Sequence, residues 1–449
     1  MRRWLIGAAL AAMAGTGPVL AQSVPPSPDW QILARTRASV PLGTVLLSDA
    51  ASLRGAPGDN AVALAKLGFV EEEYLVTGSA AGLPYATRLL VRRPAQKADF
   101  FATVVIEPLR EGDQSAPVWV SAWPYLTDHG DGWAGWTDSR ADIAALKKFD
   151  PGRYAALTIA DDAQRFEIAA QIAWLVQSED GPFGRLGFRE PAKLVQGMYR
   201  VYAAGWGQSA CTLTRFINDG HHARARRTDG RPVLSGYLLG SCPEAGKVAV
   251  PADAAVMQVM TETDHLKDAK AVAAARQEDG DKPGENRFRW YDLAGIARAG
   301  WQDQPSLSIA RHQLGGGAAE SCAPPVARLP GRNDFLRAMI ANLDDWIRLG
   351  LYPPKAPPFE LAGNGGLQRD EAGSVQGGLR PWWVDVAGAP KVKAGSGTGF
   401  CGEALLQLAA ATGSGQRYRD AVITHLDRLV RERRLLLADG EAERDQALK

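Results

Sequence analysis

The sequence predicts an α/β fold, a mostly parallel central sheet flanked by helices, on three observations. Continuous apolar runs of strand length recur, FATVVI at residues 101–106 and APVWVSAW at 116–123 among them. Runs without polar interruption suit central strands buried on both faces. Helical periodicity lies between such runs: AQRFEIAAQIAWLVQ, residues 163–177, places Phe166, Ala169, Ala170, Ala173 and Val176 on one face. Finally, the chain has 449 residues, 46% of them hydrophobic, enough for a sizeable core. Alternation of buried strands with helices argues for a parallel sheet.

Taken in order, residues 22–60 form a Pro- and Gly-containing lead-in with short apolar pieces. Residues 73–78 and 85–91 read as strands, the latter alternating like a half-buried one. They make residues 22–100 a β-rich N-terminal part of one domain spanning 22–449, with the core and its covering segments in 101–449. RVYAA at 200–204 is the next strand, followed by a helix over 210–218. Residues 256–260 and 288–293 read as buried strands, and 334–349 and 418–437 as late amphipathic helices. Between those helices, 352–390 is rich in Pro and Gly and should be an irregular covering segment.

Lysine and arginine number 51 against 50 acidic residues, a formal net charge of +1. That balance offers no electrostatic footprint for nucleic acid or an anionic membrane. Residues 1–21 read as a secretory signal: Arg2 and Arg3, an apolar stretch from Trp4, and small residues around Val19-Leu20-Ala21. The apolar run is too short to span a bilayer, so the mature protein is expected in the periplasm or secreted, with no membrane span. Export puts Cys211, Cys242, Cys322 and Cys401 in an oxidising compartment. Four cysteines allow three pairings; Cys211 with Cys242 and Cys322 with Cys401 is preferred, and free buried thiols remain open. Their spacing fits no zinc motif, and neither a metal nor a cofactor is expected.

GWGQSAC, residues 205–211, follows the strand RVYAA and resembles a nucleophile elbow, the strained strand-to-helix turn that presents a catalytic side chain. Two registers are possible. With Ser209 at the apex, the residue two positions later is Cys211, which is large for the close strand–helix approach. With Gly207 at the apex, Gly205 and Ser209 flank it, both small, and the strand runs directly into the turn. The second register fits better. Ser209 then lies about 200° around the helix from the apex, at about 100° per residue, and points away from the site.

These residues resemble those of bacterial α/β-hydrolase-domain proteins whose elbow reads Gly-Trp-Ser-Gln-Thr/Ser-Gly/Ala. Further segments carry the resemblance over nearly the whole mature chain: Phe216-Ile217-Asn218-Asp219 with His221, Pro232 to Leu238, Met257 to Asp264, and Gly377 to Val386. The resemblance implies a Ser–His–acid triad on an α/β-hydrolase fold, and the departures fall on that triad. Gly207 stands at the serine position and Arg298 at the histidine position, while Glu262, with Asp264 as the alternative, keeps the acid. Glycine supplies no nucleophile and arginine stays protonated, so neither ordinary role can be filled. Arg298 is expected to pair with Glu262 where the histidine would sit.

Three functional readings follow. The protein binds a small ester-like or apolar ligand, or a partner, in a retained pocket without turnover. Alternatively it is an active esterase-type serine hydrolase using Ser209, with His265 as displaced base. Alternatively its pocket is filled and it serves structure or interaction. Trp206, beside the elbow, is the candidate binding residue. The Gln208 N–H and the turn after Glu107-Pro108 are the candidate oxyanion donors. Of the remaining tryptophans, Trp123, Trp133, Trp136, Trp382 and Trp383 could line a pocket but are expected mainly in packing. His221 and His222 read as helix-end or loop residues, His312 and His425 as exposed, and His129 as part of a solvated loop.

Overall fold

Strands account for the apolar run at 101–106 but not for the one at 116–123. In the computed structural model, which describes residues 23–35, 64–112, 114–178, 181–184, 199–280, 285–300, 332–389, 392–394, 406–408 and 412–447, ten strands form one sheet. In chain order its elements are β1 (Asp29–Arg35), β2 (Phe69–Ala80), β3 (Leu83–Pro94) and β4 (Thr103–Pro108). Then follow α1 (Pro117–His129), β5 (Gly132–Trp136), α2 (Arg140–Phe149), β6 (Thr158–Ile159) and α3 (Arg165–Gln177). The C-terminal half holds β7 (Arg200–Trp206), α4 (Gln208–Asn218), β8 (Gly236–Gly240), β9 (Ala255–Thr261), α5 (Glu262–Ala275) and β10 (Phe288–Leu293). Helices α6 (Arg332–Leu349), α7 (Gly415–Arg431) and α8 (Leu437–Ala447) follow. The expected signal segment, His312, Cys322 and Cys401 lie outside the described residues.

The strand order is β1-β2-β3-β5-β4-β7-β8-β9-β10, with β6 pairing β3. From β5 to β10 every neighbouring pair is parallel, whereas β1, β2 and β3 join antiparallel. Parallel strands need crossovers, and the helices that make them cover both faces. Strand period 2 sorts the side chains. Val104, Ile106, Val201 and Ala203 enter a core with α2, α3, α4 and α5. Val105, Tyr202 and Ala204 enter a second core with α1, α6 and α7 on the opposite face.

The expected strand at 116–123 is instead the start of α1. Pro117 sits at its first turn, where a missing N–H costs nothing. The Glu107 carboxyl oxygens accept the N–H groups of Val118 at 2.8 Å and Trp119 at 3.1 Å. A helix buried nearly all round carries the same continuous apolar signature as a central strand. Two further boundaries differ. The lead-in contributes β1, and the late helix expected over 418–437 ends at Arg431, before Arg433 with its φ of 56°; a separate helix begins at Leu437. Residues 352–389 of the covering segment are largely irregular, as their composition predicts, and are laid along β10. Leu379 donates to the Asp292 carbonyl at 2.7 Å and Ala294 donates back to the Leu379 carbonyl at 2.9 Å.

Candidate active site

The site is built at the C-terminal end of the parallel strands. β7 delivers the chain to Gly207, which takes φ 65° and ψ −126° and leads directly into α4. Glycine enters this region without a Cβ penalty. The apex of the turn is therefore Gly207. Two residues earlier, a Cβ on Gly205 would stand 2.6 Å from the Ala210 nitrogen, so strand and helix can pass this closely only over a glycine.

Ser209 turns back on the strand. Its Oγ accepts the Trp206 N–H at 2.9 Å and donates to the Trp206 carbonyl at 3.2 Å, and the residue is buried. His265, the candidate base for Ser209, is also buried, with Nε2 2.8 Å from Asp292 Oδ1 and its ring against Phe359. The structure does not bring Ser209 and His265 together: each hydrogen-bonds elsewhere.

Glu262 opens α5 immediately after β9 and is buried. Its Oε2 accepts the Gly295 N–H at 2.8 Å, and its Oε1 accepts from Arg369 Nη2 at 2.7 Å. This corrects the expected Arg298–Glu262 pair: an arginine of the covering segment holds the carboxylate instead. Thr263 Oγ1 accepts the Arg298 N–H at 2.8 Å and the Glu262 N–H donates to the Ile296 carbonyl at 3.1 Å, so the start of α5 braces residues 295–298 at three points. Asp264, the alternative acid, is spent on capping α5. Its Oδ2 accepts from the Thr261 N–H at 2.8 Å and from Ser241 Oγ at 2.5 Å.

The half-buried Arg298 directs its guanidinium to the elbow. A Cβ on Gly207 would lie 2.9 Å from Arg298 Nη2 and 3.7 Å from its Cζ. Among the described residues no carboxylate pairs with this guanidinium. Trp206 ties strand to loop, its Nε1 donating to the Arg298 carbonyl at 2.8 Å. That indole fits only because position 240 is glycine, where a Cβ would lie 2.0 Å from the ring. Arg332, buried, stacks on the indole with its Cζ 4.7 Å from the ring centroid and donates to the same carbonyl at 2.5 Å. Nothing in the sequence marks Arg332, Arg369 or Asp292 as neighbours of the elbow. The two arginines lie far along the chain from the elbow with no local motif, and Asp292 is hidden in an apolar strand.

Of the two expected oxyanion donors, Gln208 is exposed at the start of α4, and its N–H has no acceptor among the described residues. The turn after Pro108 differs from expectation. Its Leu109 N–H bonds the Trp136 carbonyl at 2.9 Å and its Arg110 N–H the Ser115 carbonyl at 2.9 Å. Glu107 itself is fully buried, accepting also from Trp133 Nε1 at 3.1 Å, and burial pushes its carboxyl up to about 8.

The other candidates are structural neighbours. Trp123, Trp133, Trp136, Trp382 and Trp383 are buried in packing. His222 is buried between the Tyr237 hydroxyl at 2.7 Å and Asp253 at 2.9 Å, and the His222 hydrogen bond, with Arg226, lowers the Asp253 carboxyl to about 2. His425, expected to be exposed, is buried with Nε2 3.0 Å from the Arg380 carbonyl. His129 is partly exposed beside a buried Asp131. Cys211 and Cys242 form a disulfide, which leaves their sulfurs and the nearby Glu244 no role as a metal site. No helix among the described residues is long and apolar enough to cross a membrane.

A family model described as an alpha/beta hydrolase domain matches residues 33–445. No curated protein matches the chain. Solved structures similar to it include esterase Est22, at 10% identity and TM-score 0.30, covering 56% of this chain and 77% of that one. A dienelactone hydrolase from Anabaena variabilis is similar at 10% identity and TM-score 0.30, over 55% of this chain and 96% of that one. A prolyl endopeptidase is similar at 10% identity and TM-score 0.31, over 58% of this chain; the chain spans only 38% of that protein.

Proposed function

Because this chain belongs to the alpha/beta hydrolase domain family, we propose that it is an exported member that has lost the family's acyl-transfer chemistry. In this reading it binds a small ester-like or apolar ligand at the elbow without turning it over. The observation that carries the reading is the apex: glycine at positive φ, with an arginine guanidinium 2.9 Å from the position of the missing Cβ. Acyl transfer of this type needs an oxygen nucleophile and a base able to take its proton, and neither Gly207 nor Arg298 can act so. The acid Glu262 no longer faces a base and instead braces the 295–298 segment. Export to the periplasm or beyond is supported by the composition of residues 1–21 and by the Cys211–Cys242 disulfide.

The test is labelling of the purified protein with a fluorophosphonate probe, alongside hydrolysis of a short p-nitrophenyl ester. The expected result is no label and no turnover above the uncatalysed rate. Hydrolysis should appear in the double variant Gly207→Ser with Arg298→His, because the smaller imidazole clears the space a serine side chain needs. Stable label on Ser209 in the natural protein would overturn the proposal.

A further inference from the structure

We propose that residues 360–374 form a surface flap latched to the elbow site by the ion pair of Arg369 with Glu262, and that releasing this pair loosens the segment that carries Arg298. The proposal goes beyond the reading of the elbow as a binding site and does not depend on it. The flap is self-contained. Phe359 and Val375, which bound it, are buried, whereas none of residues 360–374 is. Its ends are held together by the Glu360 N–H, which donates to the Gln376 carbonyl at 3.0 Å. Its arms are joined by the Gln368 N–H to the Glu360 carbonyl at 2.8 Å and the Gln376 N–H to the Gln368 carbonyl at 2.9 Å. Two turns close it, Ala362 donating to the Gly366 carbonyl at 2.8 Å and Asp370 to the Ser374 carbonyl at 2.9 Å. A loop with neighbouring ends, its own hydrogen bonds and no buried residue sits at the low end of local stability and can swing as a unit.

Leu367 packs, partly buried, against the core on the α1 and α6 side, and Asp370 approaches Arg380 of the same covering segment at 3.6 Å. The reach into the site belongs to Arg369. Its Nη1 donates to the Gly373 carbonyl inside the flap at 2.9 Å, and its Nη2 donates to Glu262 Oε1 at 2.7 Å. One guanidinium is thus fixed to the flap on one side and to the site on the other. The Glu262 side chain is 2% exposed and that of Arg369 35%. A buried carboxylate stripped of its cation is costly, so Glu262 draws the arginine inward and the flap with it. The rest of Glu262 carries the coupling. Its Oε2 accepts the Gly295 N–H, its own N–H donates to the Ile296 carbonyl, and Thr263 Oγ1 next to it accepts the Arg298 N–H. These bonds fix residues 295–298, which set the Arg298 guanidinium beside Gly207. When Arg369 leaves, the carboxylate turns toward water and the Gly295 N–H loses its acceptor.

The experiment combines Glu-C proteolysis with amide hydrogen exchange read by mass spectrometry, on the intact mature protein and on its Arg369→Gln, Arg369→Lys and Glu262→Gln variants. Glu371 is exposed within the flap. Cleavage after it should be about tenfold or more faster in Arg369→Gln and in Glu262→Gln, the effect of losing one charged hydrogen bond. Glu262→Gln leaves the bond from Arg369 to the Gly373 carbonyl in place, so it separates release of the latch from unfolding of the flap. Peptides covering residues 294–299 should exchange faster in Arg369→Gln, and Arg369→Lys should restore part of both effects. A variant that exchanges faster along the whole chain has lost its fold, and the natural protein then decides. Its cleavage after Glu371, normalised to a free peptide of residues 365–378, should rise severalfold between about 0.05 M and about 1 M salt, because the partly exposed arginine is screened. Unchanged cleavage in both folded variants, unchanged exchange at 294–299 in Arg369→Gln, or, where the variants unfold, no rise with salt overturns the proposal.

Discussion

Gly205 and Gly207 sit two residues apart and are constrained by different physics. Gly207 is required by its positive φ, whereas Gly205 is required by contact, since its Cβ would meet backbone atoms of α4 at 2.6 and 2.7 Å. Backbone cannot swing aside as a side chain can. Gly205→Ala should therefore lower stability by about 1–3 kcal/mol, read as a shifted midpoint in urea unfolding. An unchanged midpoint would mean that α4 slides to accommodate the methyl. The choice of Gly207 over Ser209 as apex was legible from residue sizes alone, because the steric rule of the turn is local. The partner of Glu262 was not legible. Arg369 reaches it across 107 residues, and nothing near either residue announces the other.

α1 shows why an element can be misread when its residues are plain. Its apolar run fits a buried strand and a buried helix equally, and the decision comes from its N-terminus. There Glu107, at the end of β4, meets the Val118 and Trp119 N–H groups and the Trp133 indole. Glu107→Gln keeps the shape but replaces one acceptor oxygen with an amino group, leaving N–H donors unpaired. We expect a loss of about 1–3 kcal/mol at pH 5. Burial raises the carboxyl of folded Glu107 to about 8, so its protonated form is favoured in the fold. Its contribution is fully present below the unfolded value of about 4.3 and is lost as pH rises through about 8. Denaturant midpoints between those values should fall with pH in the natural protein and fall less in the variant. Identical slopes would mean that Glu107 is ionised throughout. The hairpin of β2 and β3 hides its signal in the opposite way. Glu71, Glu72 and Glu73, three consecutive acids, are all buried and pair with Arg92, Arg93 and Arg88 of the neighbouring strand.

At the scale of the whole molecule, the Cys211–Cys242 disulfide joins α4 to the turn beyond β8, closing a loop with a sequence separation of 31. It fastens the helix that follows the elbow to the next parallel strand. Replacing both cysteines with serine should cost about 2–4 kcal/mol, measured by unfolding under non-reducing conditions. A loss well below about 1 kcal/mol would show that packing of α4 alone holds the elbow. What the sequence by itself determined is the α/β class, the position of the elbow and the glycine at its apex. These depend on periodicity, residue size and short-range backbone geometry, which neighbours in the chain set for themselves. Only the tertiary structure decided that residues 117–129 are helix, that Arg369 rather than Arg298 holds Glu262, and that Ser209 and His265 are committed elsewhere. Those outcomes are competitions among donors and acceptors from distant segments. Such a competition has no winner until the sheet has brought the competitors within hydrogen-bonding distance.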